Sequence, residues 1–500
     1  MLDSHSSQLV LDFVAWGVKL QAYSEMETVY RTNLVLAEIG LDGIVDGQTG
    51  NTERSLSELT TLLLDVSDKS PDERWQLDVL RARLLNIVTP TPDRLQSNFE
   101  KLYAQSPEKA VAYYYDLSRA VENVKVADIQ KNIAYEATSD FGDLEITINL
   151  SKPEKTTAEI KAAAAAPKAA YPPTALDYTN EGYAGSITQA PRATHRFIRE
   201  SLQGQTWGWH YSPYAYFGEH AIFVDFERET MVINQATFEN LLTIVERYPM
   251  YFVGSNADLP IVGGSILSQE HFQGGRHVFP LMKAPTECEI PMPAFPDIRA
   301  DIVRWPMTTI RLTATDKEKL VAASEFIREA WQGYSDDRLD IHATSERGEQ
   351  QHTVTPIAMK RPGLYVMYLV LRDNGTSAEY PEGIFHPHPD VQHIKRENIG
   401  LIEVMGLAIL PARLKDELGD VEAFLLGEVG IEQVAEGHRP WAEMLAREHT
   451  VTPDNVHEIV QQAVGQVFAE VLTYAGVYKY DASGREGLKR FIAHLTAAGK

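Results

Sequence analysis

His271 stands two residues before Gln273 in the string Gly263-Gly-Ser-Ile-Leu-Ser-Gln-Glu-His-Phe-Gln-Gly-Gly275. Glycines let a backbone approach a phosphate closely. A neutral imidazole attacks phosphorus at pH 7 without a separate base. A nearby amide can donate to an oxygen that gains charge. Together these residue types point to nucleotidyl transfer through histidine. The same spacing also suits a glycine-rich strand end that carries an incidental histidine.

A second cluster, His386, His388, Asp390 and His393, lies in a proline-rich run. Histidines two apart on a strand share a side, so a metal site is one reading. Val391 and Gln392 separate Asp390 from His393, unlike the usual binuclear hydrolase pattern, and a substrate-binding turn is preferred. An ordinary surface turn is the third reading. Arg192, His195 and Arg196 follow the glycine-bearing turn Gly182 to Gly185, and are candidates for phosphate or base contact. Lys395, Arg396 and Asn398 form a similar group.

The chain that must hold these residues has 500 residues and a formal charge of −24. So acidic a chain lacks the basic face of a general nucleic-acid binder, and an anionic substrate needs local cations or backbone amides. Cys288 is the only cysteine, which excludes intramolecular disulfides and thiolate clusters and fits a reducing cytoplasm. The N-terminus has no secretory pattern, and no apolar run is long enough to span a bilayer.

The spacing predicts an α+β protein. Residues 1–165 read as a helical region ending near an alanine-rich stretch, with a strand at Asp143 to Leu150. Residues 166–300 read as mixed: a strand at Ala221 to Val224, a helix with Phe238, Leu241, Leu242 and Val245 on one face, and a strand at Tyr251 to Val253. Residues 301–440 repeat that order. A strand at Thr308 to Leu312 leads to a helix opened by a Thr315/Glu318 capping box, then to a strand at Tyr365 to Leu371. Each stretch ends in a histidine-bearing turn, which suggests an old duplication. Residues 441–500 return to helix.

Three long strings carry a family resemblance. Asn256 to Ser268 followed by Glu270 to Gly275, His386 to Leu414, and Phe141 to Lys155 closely resemble the type 2 (bacterial) galactose-1-phosphate uridylyltransferases. The resemblance runs nearly end to end. It implies two histidine-triad-like mixed α/β halves with antiparallel sheets, flanked by the helical regions. It implies exchange of UMP between UDP-glucose and galactose 1-phosphate by a homodimer; the composition adds the expectation of a cytoplasmic enzyme with no nucleic-acid or membrane partner, and no cofactor is expected. The family's nucleophile maps to His271 and its glutamine to Gln273. Asn256 and Ser265 are expected to hold the nucleotide phosphates, Arg192 and Arg196 to add charge, and His386 and His388 to lie near the hexose. A phosphorylase or hydrolase of nucleotide sugars on the same fold, and a degenerate member that only binds them, are the alternatives.

One departure concerns metal. The family's Cys-x-x-Cys pair and first active-site histidine bind a structural zinc together with a histidine that aligns with His220. Here Thr174, Asp177 and Gln269 stand in the first three places. Three of four ligands are replaced at once, so no zinc is expected. Hydrogen bonds among Thr174, Asp177, His220 and Gln269 are expected in its stead.

Overall fold

In the computed structural model, residues 4–45, 49–69, 73–151, 171–264 and 266–499 are described. The chain divides into two compact units. The first comprises Met1–Gln130, Ser151–Ala215 and Glu219–Arg228; the second comprises Lys131–Leu150, Tyr216–Gly218 and Glu229–Lys500. The architecture is α+β.

The first unit is built from helices such as Ser4–Lys19, Leu56–Asp65, Arg74–Ile87, Pro92–Tyr103 and Pro107–Ala120. Their starts are encoded locally. Ser55 accepts from the backbone N–H of Glu58, and Thr91 caps a helix whose first residue is Pro92. An antiparallel ladder of Ile198–Leu202, Gln205–Tyr211 and Ala221–Asp225 completes the unit. Trp209 of the middle strand packs edge-on against Phe99 and Tyr114 of the helices, at centroid distances of 5.9 and 5.0 Å. Cutting Trp209 to alanine removes a fully buried ring from that junction and costs about 3–5 kcal/mol.

In the second unit seven strands pair antiparallel. Their order is His271–Gly275, Phe252–Gly254, His352–Arg361, Leu364–Asp373, Thr309–Ala314, Arg299–Val303 and Thr286–Ile290. Register decides which side chains share a face. Gln273 pairs with Gly254, Gly254 with Ile357, and Ile357 with Tyr368. Cross-strand partners point the same way, and so do residues two apart. His271, Gln273, Thr355 and Arg372 therefore lie on one face. The segment Ile399 to Met405 joins the apolar core on that face, with Ile357, Tyr368, Leu401 and Val404 buried together.

Pro356 lies in the middle of the longest pairing, where its missing N–H would normally break a ladder. Its carbonyl accepts from Ser255 N, just past the end of the short strand Phe252–Gly254, so its nitrogen faces a place where that ladder has already stopped. The hairpin Ile133–Ser139 and Gly142–Ile148 forms a second sheet, joined in parallel by Leu407–Leu410. The helix Val456–Ala475 presses on it so closely that a Cβ on Gly465 would sit 2.1 Å from that of Ala137.

One expected start moves by a residue. The helix Lys317–Gln332 is capped by Asp316, whose carboxylate accepts from Lys319 N at 2.9 Å, and not by Thr315. A carboxylate there also meets the positive end of the helix dipole. Among the described residues, no helix is long and apolar enough to cross a membrane.

Candidate active site

His271 opens its strand with the side chain buried. Its Nδ1 lies 2.9 Å from the carbonyl oxygen of Gln269. A carbonyl only accepts, so Nδ1 carries the proton and Nε2 keeps its lone pair. Burial holds the imidazole below its ordinary pKa, only partly offset by the Gln269 bond, so the ring is neutral at pH 7. Gln273, two residues on and half-buried, projects from the same face. The arrangement presents a fixed nucleophilic nitrogen beside an amide.

The turn Ala257 to Gly264 is folded tightly. A Cβ on Gly264 would lie 2.6 Å from the Asn256 amide nitrogen. Asn256 is buried, and its Oδ1 accepts from Leu401 N at 2.8 Å. Asn398 completes the brace. Its Nδ2 donates to the carbonyls of Pro260 and Gly263, at 2.8 and 3.4 Å, and its Oδ1 accepts from His386 Nε2 at 3.3 Å. Burial lowers the His386 pKa against the opposing pull of the Asn398 bond. The structure thus brings Asn256, Asn398 and His386 to the turn that precedes His271. Ser265 lies outside the described residues.

The other histidines of the second cluster diverge. His388 donates from Nε2 to the Ile384 carbonyl and is sandwiched between Tyr380 and Tyr474, at 4.0 and 4.2 Å. His393 meets His438, Nδ1 to Nδ1 at 2.8 Å, and His438 is held in turn by Glu417. The run is a proline-bearing turn, so the period-two rule for strands does not apply to it. Among the described residues, no three or more His, Cys, Asp or Glu side chains are grouped to hold a metal. The neighbouring basic group separates as well. Lys395 is buried against Glu403 at 2.9 Å, while Arg396 reaches the exposed Glu382.

In the first unit Arg196 is buried and committed to protein. It donates to the carbonyls of Pro90, Ala193 and His195 and to Asn86 Oδ1. Arg192 is half-buried and, among the described residues, makes no such side-chain bond.

The residues at the family's zinc position do not fit zinc. Thr174 Oγ1 accepts from Asp177 N at 3.1 Å. The Asp177 carboxylate accepts from Thr179 N and Oγ1, and from Arg228 Nε at 2.5 Å. Burial raises the Asp177 pKa, but Arg228 and Thr179 outweigh it and hold the group below the ordinary carboxylate range. A guanidinium already neutralises this carboxylate, and hydroxyl and carboxylate oxygens replace thiolates. The Thr174–Asp177 contact was expected from the sequence. Arg228, 51 residues away, was not, because nothing local marks the two as partners.

Arg372 was also missed. It reads as a strand residue, yet its guanidinium is fully buried, donating to Thr355 Oγ1 at 3.1 Å and to the Ile399 carbonyl at 2.9 Å.

Comparison with known proteins fits this geometry. Family profiles described as the N-terminal and C-terminal domains of galactose-1-phosphate uridyl transferase match residues 45–228 and 244–443. The galactose-1-phosphate uridylyltransferase of Lacticaseibacillus casei is 49% identical over 473 residues, covering 95% of this chain and 96% of that one. That of Ligilactobacillus salivarius is 48% identical over 98% of this chain and 99% of its own. That of Streptococcus thermophilus is 46% identical over 99% and 100%. Among solved structures a yeast Ap4A phosphorylase aligns at 11% identity and a TM-score of 0.33, over 59% of this chain and 86% of that one. Matched by both profiles and by relatives along almost its whole length, the chain belongs to the galactose-1-phosphate uridylyltransferase family.

Proposed function

We propose that this enzyme moves UMP between UDP-glucose and galactose 1-phosphate through a covalent uridylyl-His271. The observation that carries the reading is the bond from His271 Nδ1 to the Gln269 carbonyl, which leaves Nε2 as the free lone pair. Nε2 attacks the α-phosphorus of UDP-glucose. The bond to the bridging oxygen breaks, and glucose 1-phosphate departs with that electron pair. The phosphate of galactose 1-phosphate then attacks the same phosphorus, the N–P bond breaks, and the neutral imidazole returns. Throughout, Nδ1–H stays on the Gln269 carbonyl, which stabilises the positive charge of the uridylylated ring.

Gln273 donates to a non-bridging oxygen of the group in transfer. Loss of one such donor costs about 10²–10³ in rate. Asn256 and His386 keep the preceding turn in shape. His388, held between two tyrosines, lines the hexose side. Arg196 has its donors already taken by protein. The same reading includes a cytoplasmic homodimer, which light scattering of the purified protein checks.

The test is mass spectrometry after brief exposure to UDP-glucose. A mass gain of one uridylyl group on the peptide containing His271, absent in His271→Asn, is the expected result. Steady release of UMP from UDP-glucose alone would mean that water is the acceptor and would overturn the exchange.

A further inference from the structure

Asn398 does not hold the turn before His271 alone. The Pro260 carbonyl accepts from Asn398 Nδ2 at 2.8 Å, and the N–H of the same peptide unit, on Ile261, donates to Asn374 Oδ1 at 2.8 Å. In a trans peptide these two groups point in opposite directions, so side chains on both sides fix the rotation of that plane. Earlier in the turn, the Asp258 carboxylate accepts from Thr353 Oγ1 and from Ile233 N. The corner that carries Asn374 also touches the second histidine turn. The Gly375 carbonyl accepts from Ile384 N at 2.9 Å. A Cβ on Gly383 would sit 2.8 Å from Ile261 Cγ2 and 2.9 Å from His386 Cβ, so the two turns meet at a residue without a side chain.

The corner Asp373 to Gly375 is itself anchored from the other face of the sheet, because Asp373 follows Arg372 and side chains alternate along a strand. Asp373 ends its strand opposite His352, and both side chains are buried. His352 Nδ1 lies 2.9 Å from the Trp331 carbonyl, and Nε2 lies 3.1 Å from Asp373 Oδ2. The Trp331 ring stacks on the imidazole at 3.9 Å, with 3° between the planes. A carbonyl only accepts, so Nδ1 carries a proton, and a second proton lies between Nε2 and the carboxylate. Asp373 Oδ1 accepts from Gly375 N at 2.7 Å, and Asn374 N donates to the Gln351 carbonyl at 2.8 Å. The indole sets the plane of the imidazole, the two ring nitrogens set its angle in that plane, and the carboxylate passes the constraint to the corner.

We propose that Asn374 is a positioning residue for His271, and that the buried His352–Asp373 pair keeps it in place. With Asn398 it clamps the Pro260–Ile261 peptide, and that fixes the course of the chain through Gly263 and Gly264 toward the strand that opens at His271. Asn374 takes no part in making or breaking bonds. The two glycines have no side chains with which to hold the turn, so its shape depends on hydrogen bonds from neighbouring segments. Attack needs the nucleophilic nitrogen within about 3–3.5 Å of phosphorus, so a loosened turn slows transfer more than it lowers stability. The effect on rate rests on the proposed role of His271; the hold on the turn does not.

The experiment reads the full chain in two ways: the single-turnover rate of labelling by UDP-glucose, and backbone hydrogen exchange of the peptide spanning residues 257–264. Asn374→Ala is expected to slow labelling by about ten- to a hundredfold, the upper end being the loss that a misplacement of about 1 Å brings. It is also expected to raise exchange in that peptide. Asn374 is only half-buried, so the thermal midpoint falls by no more than about 2 °C. Asn374→Asp keeps the oxygen that accepts from Ile261 and restores most of the rate, whereas Asn374→Leu does not. His352→Phe keeps a ring on Trp331 but loses both nitrogens; it slows labelling too and lowers the midpoint further. Combined with Asn374→Ala it adds little to the loss of rate, because both act through the same bond. Where UDP-glucose labels no form of the protein, the role of His271 fails, while raised exchange of 257–264 in Asn374→Ala still upholds the hold on the turn. Unchanged exchange in Asn374→Ala, an unchanged rate of labelling, or a slowed rate that Asn374→Asp leaves unrestored overturns the proposal.

Discussion

Arg372 offers the sharpest test of how this protein manages charge beneath its candidate site. Burial pulls the guanidinium from its ordinary range down to about 10, opposed only by Glu403. At about 1.4 kcal/mol per tenfold change, that is roughly 3 kcal/mol against the charged form. Two bonds offset it, to Thr355 Oγ1 and to the Ile399 carbonyl, each worth about 1.5–3 kcal/mol because the donor is charged. Nε has no partner among the described residues.

Arg372→Met removes the desolvation cost along with both bonds and keeps most of the volume. It is expected to destabilise by only about 1–2 kcal/mol. Thr355→Val does the reverse, leaving the cation in place without its hydroxyl. It is expected to cost at least as much as deleting the cation, about 2–3 kcal/mol. The double variant should then be more stable than the sum of the two losses. Urea unfolding followed by tryptophan fluorescence reads all three, because Trp305 and Trp331 are buried in the second unit. Exchange activity should fall in both single variants. Arg372 tethers Ile399, and the same short segment carries Asn398 and Leu401, which hold the turn before His271. A neutral Thr355→Val beside a severely destabilised Arg372→Met would refute the reasoning, since the cation would then be a net stabiliser.

Three further outcomes follow from the site. Burial lowers the His271 pKa, so the uridylylation rate should stay level as pH falls to 6.5 and decline only below it; a decline centred above 6.5 would contradict the buried neutral ring. Asp177 is held below the ordinary carboxylate range, so its contribution to stability is present above about pH 4 and fades as pH falls through its lowered value. Acid unfolding should begin at higher pH in Arg228→Ala, chelators should leave both stability and exchange unchanged, and stoichiometric zinc by elemental analysis would contradict the fit of these residues. Gly264→Ala places a Cβ 2.6 Å from the Asn256 amide, so single-turnover uridylylation should slow more than thermal stability falls.

The parts of this molecule that were legible in the sequence are those fixed by local period. Phe238, Leu241, Leu242 and Val245 mark the helix Gln235–Arg247, and all four are buried. The alternation from Asp143 marks the strand Gly142–Ile148. His271 and Gln273 share a face because strands repeat every two residues, which spacing alone conveys. What was hidden depends on partners far along the chain. The strand His352–Arg361 contains Pro356, and only the early end of its neighbour makes that tolerable. His386 and His388 carry strand spacing, but Pro387 and Pro389 turn the backbone, and the two rings face different partners. Asp177 finds Arg228, and Arg372 finds Ile399, through contacts that leave no mark in either local pattern.

A chain with a net charge of −24 that handles phosphate esters must decide where its cations go. Several are inside. Arg196 spends its donors on three carbonyls and an asparagine. Lys395 is neutralised by Glu403, which lifts its pKa in spite of burial. Arg372 uses two donors to hold a loop. These cations are structural because their hydrogen-bond capacity is already filled, and a substrate oxygen would have to displace a protein one. Burial of a cation is therefore a poor guide to a ligand site in this protein, because desolvation is paid in every case and only an unfilled donor leaves a ligand something to gain.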